Sequence, residues 1–443
     1  MIGRLLDLAS EAISRRGLDA WEAFLVKKRS ELVEVAGGRV RRTHSALDWG
    51  CGLRGLLEGR AGYASTTRMD GRGFADCADT LISSALCGSS GGALPLPAPG
   101  PPKEPFEAYD SSVESLTLER MASLATEAES SAVTGPGRGA QVGECSCRSE
   151  RGAVAVRNSL GLDVRFRFSR VTLRLAGETR TAAGDAMAPA WAFSHGPSAM
   201  DPARLGLDFS RLMAARTSAV PATAGRTTLL LSPRASARLT GLCSFLLNGE
   251  RAPARAGSSG SSAEALGSSA LTLLDDGRLS GGYGSTPFDG EGVATGSHAF
   301  IEKGVRKGFA HTAASAARAG SDSTGHALRP DFAFPPRVGF HNLHLAPTLI
   351  DPRETLKGLR EGLFLEEICE APTRGGPPDQ IALEGWGFRV VRGEVAEPVE
   401  GVRIVGRFSD FLLRLAEVGP DLATFPGGLG GATCLLEDVP IGI

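Results

Sequence analysis

Apolar residues at the start of the chain recur at Ile2, Leu5, Leu6, Ala9 and Ile13, the spacing of one helix face. The rhythm then changes. Runs at 20–28, 31–36, 40–44, 49–57 and 61–66 read as strands, punctuated by Gly37-Gly38 and Gly59. Phe74, Cys77, Ala78, Leu81, Ile82 and Ala85 mark a second helix, and Leu118, Met121, Ala122, Ala125 and Ala128 a third. Strand-like runs follow at 153–156 and 164–175. Asp201-Pro202 combines a capping side chain with the residue favoured in a first turn, and Leu205, Phe209, Leu212 and Met213 continue a fourth helix. This repertoire appears about twice, which hints at an internal duplication.

Residues 87–105 are too rich in Gly and Pro for a regular element and read as a surface linker within the first domain. Gly88-Ser89-Ser90-Gly91-Gly92 satisfies the GxSxG pattern there, without the strand-to-helix elbow that pattern needs. Gly135-Pro136-Gly137-Arg138-Gly139-Ala140 brushes a dinucleotide fingerprint, but its proline argues for a loop. A boundary falls at 218–225, dividing a domain at 1–218, where helices and strands alternate, from a β-rich one at 219–443. The second domain carries helices near 234–247 and 409–418. Ser409 caps the last, Phe411, Leu412 and Leu415 form its buried face, and Gly419-Pro420 stops it.

Composition narrows the classes. The chain has 443 residues, 42% hydrophobic and 22% charged, with a net charge of −2. No basic stripe supports direct nucleic-acid binding. No apolar stretch approaches the roughly 20 residues a membrane helix requires. The eight cysteines are scattered, and the amphipathic start is no secretory signal, so reduced thiols and a cytoplasmic location are expected. Cys145 and Cys147 share a strand face but lack the further ligands a zinc site needs.

The densest signal runs from Leu271 to Arg329. A short apolar run stops at Asp275-Asp276-Gly277, a Gly-rich stretch leads to Thr286-Pro287-Phe288-Asp289-Gly290-Glu291-Gly292, and strand-like runs at 299–302 and 305–310 flank Lys303-Gly304. By physics alone this is a hairpin-rich β region, and the acids Asp275, Asp276, Asp289 and Glu291 read as turn formers whose spacing fits no EF-hand. By pattern, the order DDG…GG.GS.PFD.EG…IE.G..KG…SA…G..STG resembles the TldD/PmbA family, known as gyrase modulators and as metalloprotease subunits. GCGLRGLLEGRAGYAST and PVEGVRIVG are similar to further family segments. The resemblance implies an α+β fold, an α/β N-terminal domain followed by a largely antiparallel β C-terminal domain.

TldD-type members carry an HExxxH helix, whose histidines bind a metal and whose glutamate is the base for a metal-activated water. Matching the Leu-Asn-Gly-Glu ending of that helix puts Thr240 and Phe245 at the histidine positions and Gly241 at the glutamate. None can do that chemistry, and no histidine lies between His195 and His298. This absence resembles the PmbA branch, also called TldE, which implies no metal in this chain and zinc in a TldD-type partner. His341 and His344 lie three apart in an extended segment and point to opposite faces. His298, His311 and His326 read as turn, surface or capping residues. Cys434 matches a small residue of the last strand rather than the TldD cysteine.

The resemblance thus implies a non-catalytic subunit of a heterodimeric zinc-dependent peptidase that acts on unfolded or extended peptides. A homodimer is expected when the chain is alone. Gly281, Gly282, Tyr283, Gly284 and Ser285 are candidates for backbone contact with peptide, or else simply form turns. Arg337 and Asn342 match family positions that organise a loop. The alternative is a non-enzymatic binding protein of the gyrase-modulator type, working without a protease partner.

Overall fold

The computed structural model describes residues 2–442 apart from 91–92, 101–103, 105, 107, 137–140, 182–183, 253–263 and 371–378. Parts of both weak motifs, GxSxG at 88–92 and the Gly-rich run at 135–140, lie outside the described residues.

The first half begins with helix α1 (Ile2–Ser14), strands β1 (Ala20–Ala36), β2 (Arg39–Leu57) and β3 (Arg60–Thr66), and helix α2 (Gly71–Leu86). The pattern then repeats as α3 (Leu118–Thr134), β4 (Glu144–Asn158), β5 (Asp163–Thr181), β6 (Gly184–Ser194) and α4 (Pro202–Thr217). All six strands form one antiparallel sheet in the order β3-β2-β1-β4-β5-β6, with β1 and β4 paired at its centre. Each half of that sheet is a three-strand meander between two helices, so the duplication hinted at by the sequence is visible in the topology.

Two pairs of short predicted strands are in fact single long ones. The polar Lys28-Arg29-Ser30 interrupts the apolar rhythm, yet β1 is paired on both sides there, Ser30 with Ala46 and with Glu150. Two ladders override the local pattern. Strand β6, missed from its Ala-rich sequence, is held by β5 from Val171↔Ser194 to Thr181↔Gly184.

Odd-numbered positions of β1, β2, β4 and β5, with the even positions of β3 and β6 paired opposite them, face the helices. Leu25 and Leu53 pack with Leu6, Ile13, Phe74 and Leu81, and Val171, Leu173 and Leu175 with Met121, Leu124, Phe209 and Met213. The opposite face of the sheet meets the second half of the chain, where Phe24 packs on Phe332.

The second half holds β7 (Val220–Pro221), β8 (Gly225–Leu231), α5 (Pro233–Leu247), β9 (Leu273–Asp276), β10 (Ser297–Glu302), β11 (Val305–Arg306) and α6 (Ala313–Ala319). It continues with β12 (Ala327–Leu328), β13 (Arg337–Val338), β14 (Leu343–Leu345), α7 (Pro352–Gly358), β15 (Glu361–Glu370), β16 (Gln380–Val391) and β17 (Glu394–Arg407). Helix α8 (Phe408–Leu413) and strands β18 (Leu415–Val418), β19 (Ala423–Phe425), β20 (Leu429–Gly431) and β21 (Cys434–Ile441) complete it. Two sheets result, ordered β11-β10-β9-β14-β20-β19 and β18-β21-β8-β15-β16-β17-β7, with a β12–β13 ribbon beside them. Pairing is mostly antiparallel, the exceptions being β14/β20, β8/β15 and β7/β17. The fold is α+β. Helix α5 contributes Leu239, Cys243 and Leu247 to a core shared with Leu229, Leu273, Leu343 and Leu436.

The expected helix over 409–418 is only α8, followed by β18, because Leu415 and Val418 pair with β21. Ser409 does not cap it. Its amide and hydroxyl instead donate to Asp379, at 3.3 and 2.8 Å. The predicted strand over 305–310 ends at Arg306, and Ala310 bridges to Asn248 at the end of α5.

No helix among the described residues is long and apolar enough to cross a membrane. Six thiols are buried, and only Cys87 and Cys369 are exposed. A thiol reagent applied to the native protein is therefore expected to titrate two groups rapidly, and all eight only after denaturation. Fast reaction of more than two would mean the sheet faces are not packed as described.

Candidate functional site

Helix α5 starts where Ser232 accepts the Ala235 amide at 3.1 Å, with Pro233 in the first turn. Residues five apart on a helix lie about 140° apart around its axis. Thr240 accordingly turns into the core, fully buried, and its hydroxyl donates to the Ser236 carbonyl at 3.1 Å. Gly241 lies under Leu429, and Phe245 points outward, 56% exposed, with the Arg251 guanidinium 5.0 Å from its ring. A hollow of about 460 Å³ beside Phe245 is walled by Leu242, Leu246, Ile381, Leu383 and Phe408. A buried hydroxyl, a glycine and a phenyl ring do not fit a zinc ion. Cys434 opens β21 opposite Leu231, buried, and burial pushes its thiol well up, away from the thiolate a metal needs. Among the described residues no group of three or more His, Cys, Asp or Glu side chains is arranged to hold a metal.

Two of the four acids do form turns, Asp276 accepting the Arg278 amide at 2.8 Å and Asp289 the Glu291 amide at 2.9 Å, whereas Asp275 and Glu291 do not. Asp275 lies within β9, fully buried, and accepts the amides of His341 and Asn342 at 3.0 and 2.9 Å and His326 Nε2 at 2.9 Å. Burial works to raise its carboxyl, but His326 and the His341 amide outweigh it and hold the group below its usual range. His311 and His326 are likewise buried rather than on the surface, and His298 sits half-buried on β10 rather than in a turn. His341 and His344 are buried too. His341 donates from Nε2 to the Gly325 carbonyl at 2.8 Å, and His344 Nδ1 lies 2.7 Å from the Asn342 carbonyl.

Asn342 organises the Gly-rich loop. Its Nδ2 donates to the Asp276 carbonyl and to Ser285 Oγ, at 2.7 and 2.9 Å, and its Oδ1 accepts the Gly284 amide at 3.0 Å. A Cβ on Gly284 would stand 2.0 Å from the His341 carbonyl oxygen, and one on Gly282 within 2.8 Å of Asn342. Gly281 adopts φ 69°. Gly282 and Gly284 are close-packed, and what the loop projects is Tyr283. Its ring meets the Arg170 guanidinium at 3.7 Å and Phe193 at 5.0 Å, on the open face of the first sheet. Arg337 is not gathered here. It is exposed on β13, opposite Leu328.

Sequence reasoning missed the ionic seam between the halves. Arg54 of β2 donates to both oxygens of Glu22 on β1, at 2.8 and 2.6 Å, and to Glu291 at 2.7 Å. Arg329 also pairs with Glu22, donates from Nε to the Gly290 carbonyl at 2.8 Å, and lies over Phe24. Glu291 accepts the Ala313 amide at 2.8 Å, anchoring α6. All four side chains are buried, and their charges balance. Asp289, two residues from Glu291, accepts the amides of Glu291, Val293 and Ala327 at 2.9, 2.9 and 3.0 Å.

Burial, and Glu291 beside it, push Asp289 up to about 7. A carboxyl held above its unfolded value stabilises the fold fully below about pH 4 and loses that contribution as pH rises through about 7. The melting temperature is expected to fall across that window, and less so in Asp289→Asn. A flat profile in the wild type, measured by calorimetry, would contradict this.

Beside the seam runs a cleft of two adjoining hollows, about 630 and 970 Å³, that share Phe288 and Ala294. Its walls come from β5, from the 287–294 loop and from residues 95–100, so the predicted surface linker is in part a wall of this cleft. Asn158 holds that wall by donating from Nδ2 to the Pro97 carbonyl at 2.8 Å.

Comparison with known proteins agrees with this architecture. The family model described as the PmbA/TldA metallopeptidase C-terminal domain matches residues 224–442, and that family's domain 1 matches residues 21–85. A protein named Metalloprotease from Methanothermobacter thermautotrophicus is 30% identical over 186 residues, 40% of this chain and 38% of its own length. Metalloprotease PmbA of Escherichia coli is 31% identical over 154 residues, 35% of this chain and 32% of its own. The matches thus span under two fifths of these two relatives. Among solved structures, TldE from Thermococcus kodakarensis superposes over 100% of both chains with a TM-score of 0.85 at 19% identity. A Thermotoga maritima protein carried under the heading of a DNA-gyrase modulator gives 0.84 at 20%, again over 100% of both. At that identity the likeness speaks for the fold alone. With both family models matched on the motifs described above, the chain belongs to the PmbA/TldD metallopeptidase family.

Proposed function

We propose that this chain is a PmbA/TldE-like subunit without a metal centre of its own, pairing in the cytoplasm with a TldD-type subunit that supplies zinc and general base. The pair would act on unfolded or extended peptides. The observation that carries this reading is the chemistry of α5. Its Thr240, Gly241 and Phe245 offer no ligand or base where a catalytic relative has HExxxH, while the helix keeps its apolar face and its place in the core. The sequence change removes chemistry and spares structure, as expected of a subunit kept for assembly and substrate handling.

Co-expression with an HExxxH-bearing relative tests it. The two chains are expected to co-purify at one to one and to cleave an unfolded protein such as β-casein, with cleavage lost when the partner's glutamate is replaced. A chain that captures no such relative and adds nothing to its activity would favour the stand-alone modulator reading instead.

A further inference from the structure

Strand β2 is paired with β1 along its whole length, but β3 joins its other side only from Cys51 to Leu57. At Thr66 the chain leaves the sheet for α2, so from Arg39 to Gly50 β2 is itself the edge of the first sheet. Every residue from Arg39 to Trp49 is exposed except the half-buried Ala46. The register shows which backbone groups that edge presents. The Leu56 carbonyl accepts the Asp19 amide at 2.8 Å, on the β1 side. In an antiparallel strand the N–H and C=O of one residue point to the same side, and successive residues alternate. The β1–β2 ladder is regular from Leu56 back to Arg42, its one irregularity lying at Arg41. Thr43, Ser45, Leu47 and Trp49 therefore turn their amides and carbonyls away from β1, where they have no partner among the described residues.

Side chains alternate as well. Thr43, Ser45, Leu47 and Trp49 share one face, with Leu47 and Trp49 55% and 36% exposed, and Arg42 and His44 stand on the other. From Lys27 to Trp49 the β1–β2 hairpin carries six Lys and Arg against three acids, in a chain whose net charge is −2. Arg42 reaches Glu34 at 3.7 Å, and Arg39 and Arg41 have no acid partner among the described residues. Cations on an open edge oppose pairing between copies. The register that would join Arg42 to Asp48 of a second copy sets that copy's Arg39 at Cys51, a place already taken by Thr66 of β3. Registers shifted toward the hairpin tip avoid β3 but leave the arginines opposite no acid. The edge thus fits a strand of another kind, with acids on one face and apolar or β-branched residues on the other.

We infer that β2 captures an extended acidic segment of unfolded substrate as an antiparallel added strand along Arg42–Trp49. Its acids stand beside Arg42 and His44, and its apolar residues beside Leu47 and Trp49. This rests on the peptide reading above and adds a substrate class to it. The probe is a fluorescein-labelled ten-residue peptide of alternating glutamate and valine, bound to the isolated full chain and read by polarisation. Directly opposed residues of an antiparallel ladder share a face and turn their backbone groups the same way. Valines opposite Leu47 and Trp49 therefore present their own amides to β2, whereas the glutamate amides point away from it.

N-methylation of the valines is expected to weaken binding about tenfold or more, and N-methylation of the glutamates to leave it within about twofold. A peptide with lysine in place of glutamate is expected not to bind. Replacing both Arg41→Glu and Arg42→Glu is expected to reverse that preference with unchanged melting, because both side chains are exposed. Equal binding of the two methylated peptides, no preference for glutamate over lysine, or no binding at all would overturn the inference. Should the double variant fail to fold, the methylated pair still decides. Casein cleavage by the complex reads the peptidase function separately. Cleavage without binding at the edge would sink the edge alone, and binding without cleavage would uphold the edge and sink the peptidase reading.

Discussion

Arg54→Ala is expected to destabilise the protein by about 3–5 kcal/mol, the range for removing one partner of a buried ion pair. The side chain is 7% exposed and touches two carboxylates that are fully buried. Burial disfavours its charge, but Glu22 and Glu291 outweigh that and hold the guanidinium charged. Without it, Glu22 keeps only Arg329, and Glu291 keeps the Ala313 amide as its hydrogen-bond partner. Glu22 would then lose both bonds that Arg54 makes to it, and Glu291 its bond to a cation. Glu22 comes from the first sheet and Glu291 from the second half, so the loss falls on the seam itself. Urea titration followed by circular dichroism measures it, and Arg54→Lys, with one point charge in place of a two-pronged fork, should fall between. A loss below about 1 kcal/mol would mean the quartet is not a clamp.

Asp275→Ala is expected to cost about as much, because three donors lose their acceptor at once and each unsatisfied buried group costs about 1–3 kcal/mol. Asp275→Asn should cost clearly less. Its carbonyl can still accept the His341 and Asn342 amides. Neutral His326 can hold its proton on Nδ1, 2.8 Å from the Thr324 carbonyl, and accept at Nε2. The acid also sets a pH response of opposite sign to that of Asp289. A carboxyl held below its unfolded value stabilises the fold above about pH 4, and that contribution is lost as pH falls through the lower folded value. Glu22 acts in the same direction. Burial works to raise it, and Arg54 and Arg329 outweigh that. Acid unfolding of wild type against Asp275→Asn measures the contribution, and identical acid midpoints would contradict it.

The periodic parts of this fold were legible in the sequence. Helices α2 to α5 stand where apolar spacing and Asp201-Pro202 place them, because each has one buried face and a local start signal. Elements and groups decided by distant partners were not. Strand β6 exists because β5 is beside it, and the 409–418 helix gives way to β18 because β21 is. Arg54 and Glu291 are 237 residues apart, and no local pattern joins them. Asp275 carried one faint signal, an acid ending an apolar run, which a turn explains equally well until the His326 and Asn342 donors are seen around it. What the loop glycines approach was not legible either, since Gly284 meets the His341 backbone and Gly282 the Ser285 and Asn342 side chains, all distant or folded back in the chain.

The central claim, that catalytic metal belongs to a partner and not to this chain, is tested most directly by metal analysis of the untagged protein purified alone and again with its HExxxH-bearing partner. The account predicts essentially no zinc alone and about one zinc per pair of chains in the complex. One equivalent of zinc bound to this chain alone would contradict it, and would make His341, His344 and Cys434 the first residues to replace.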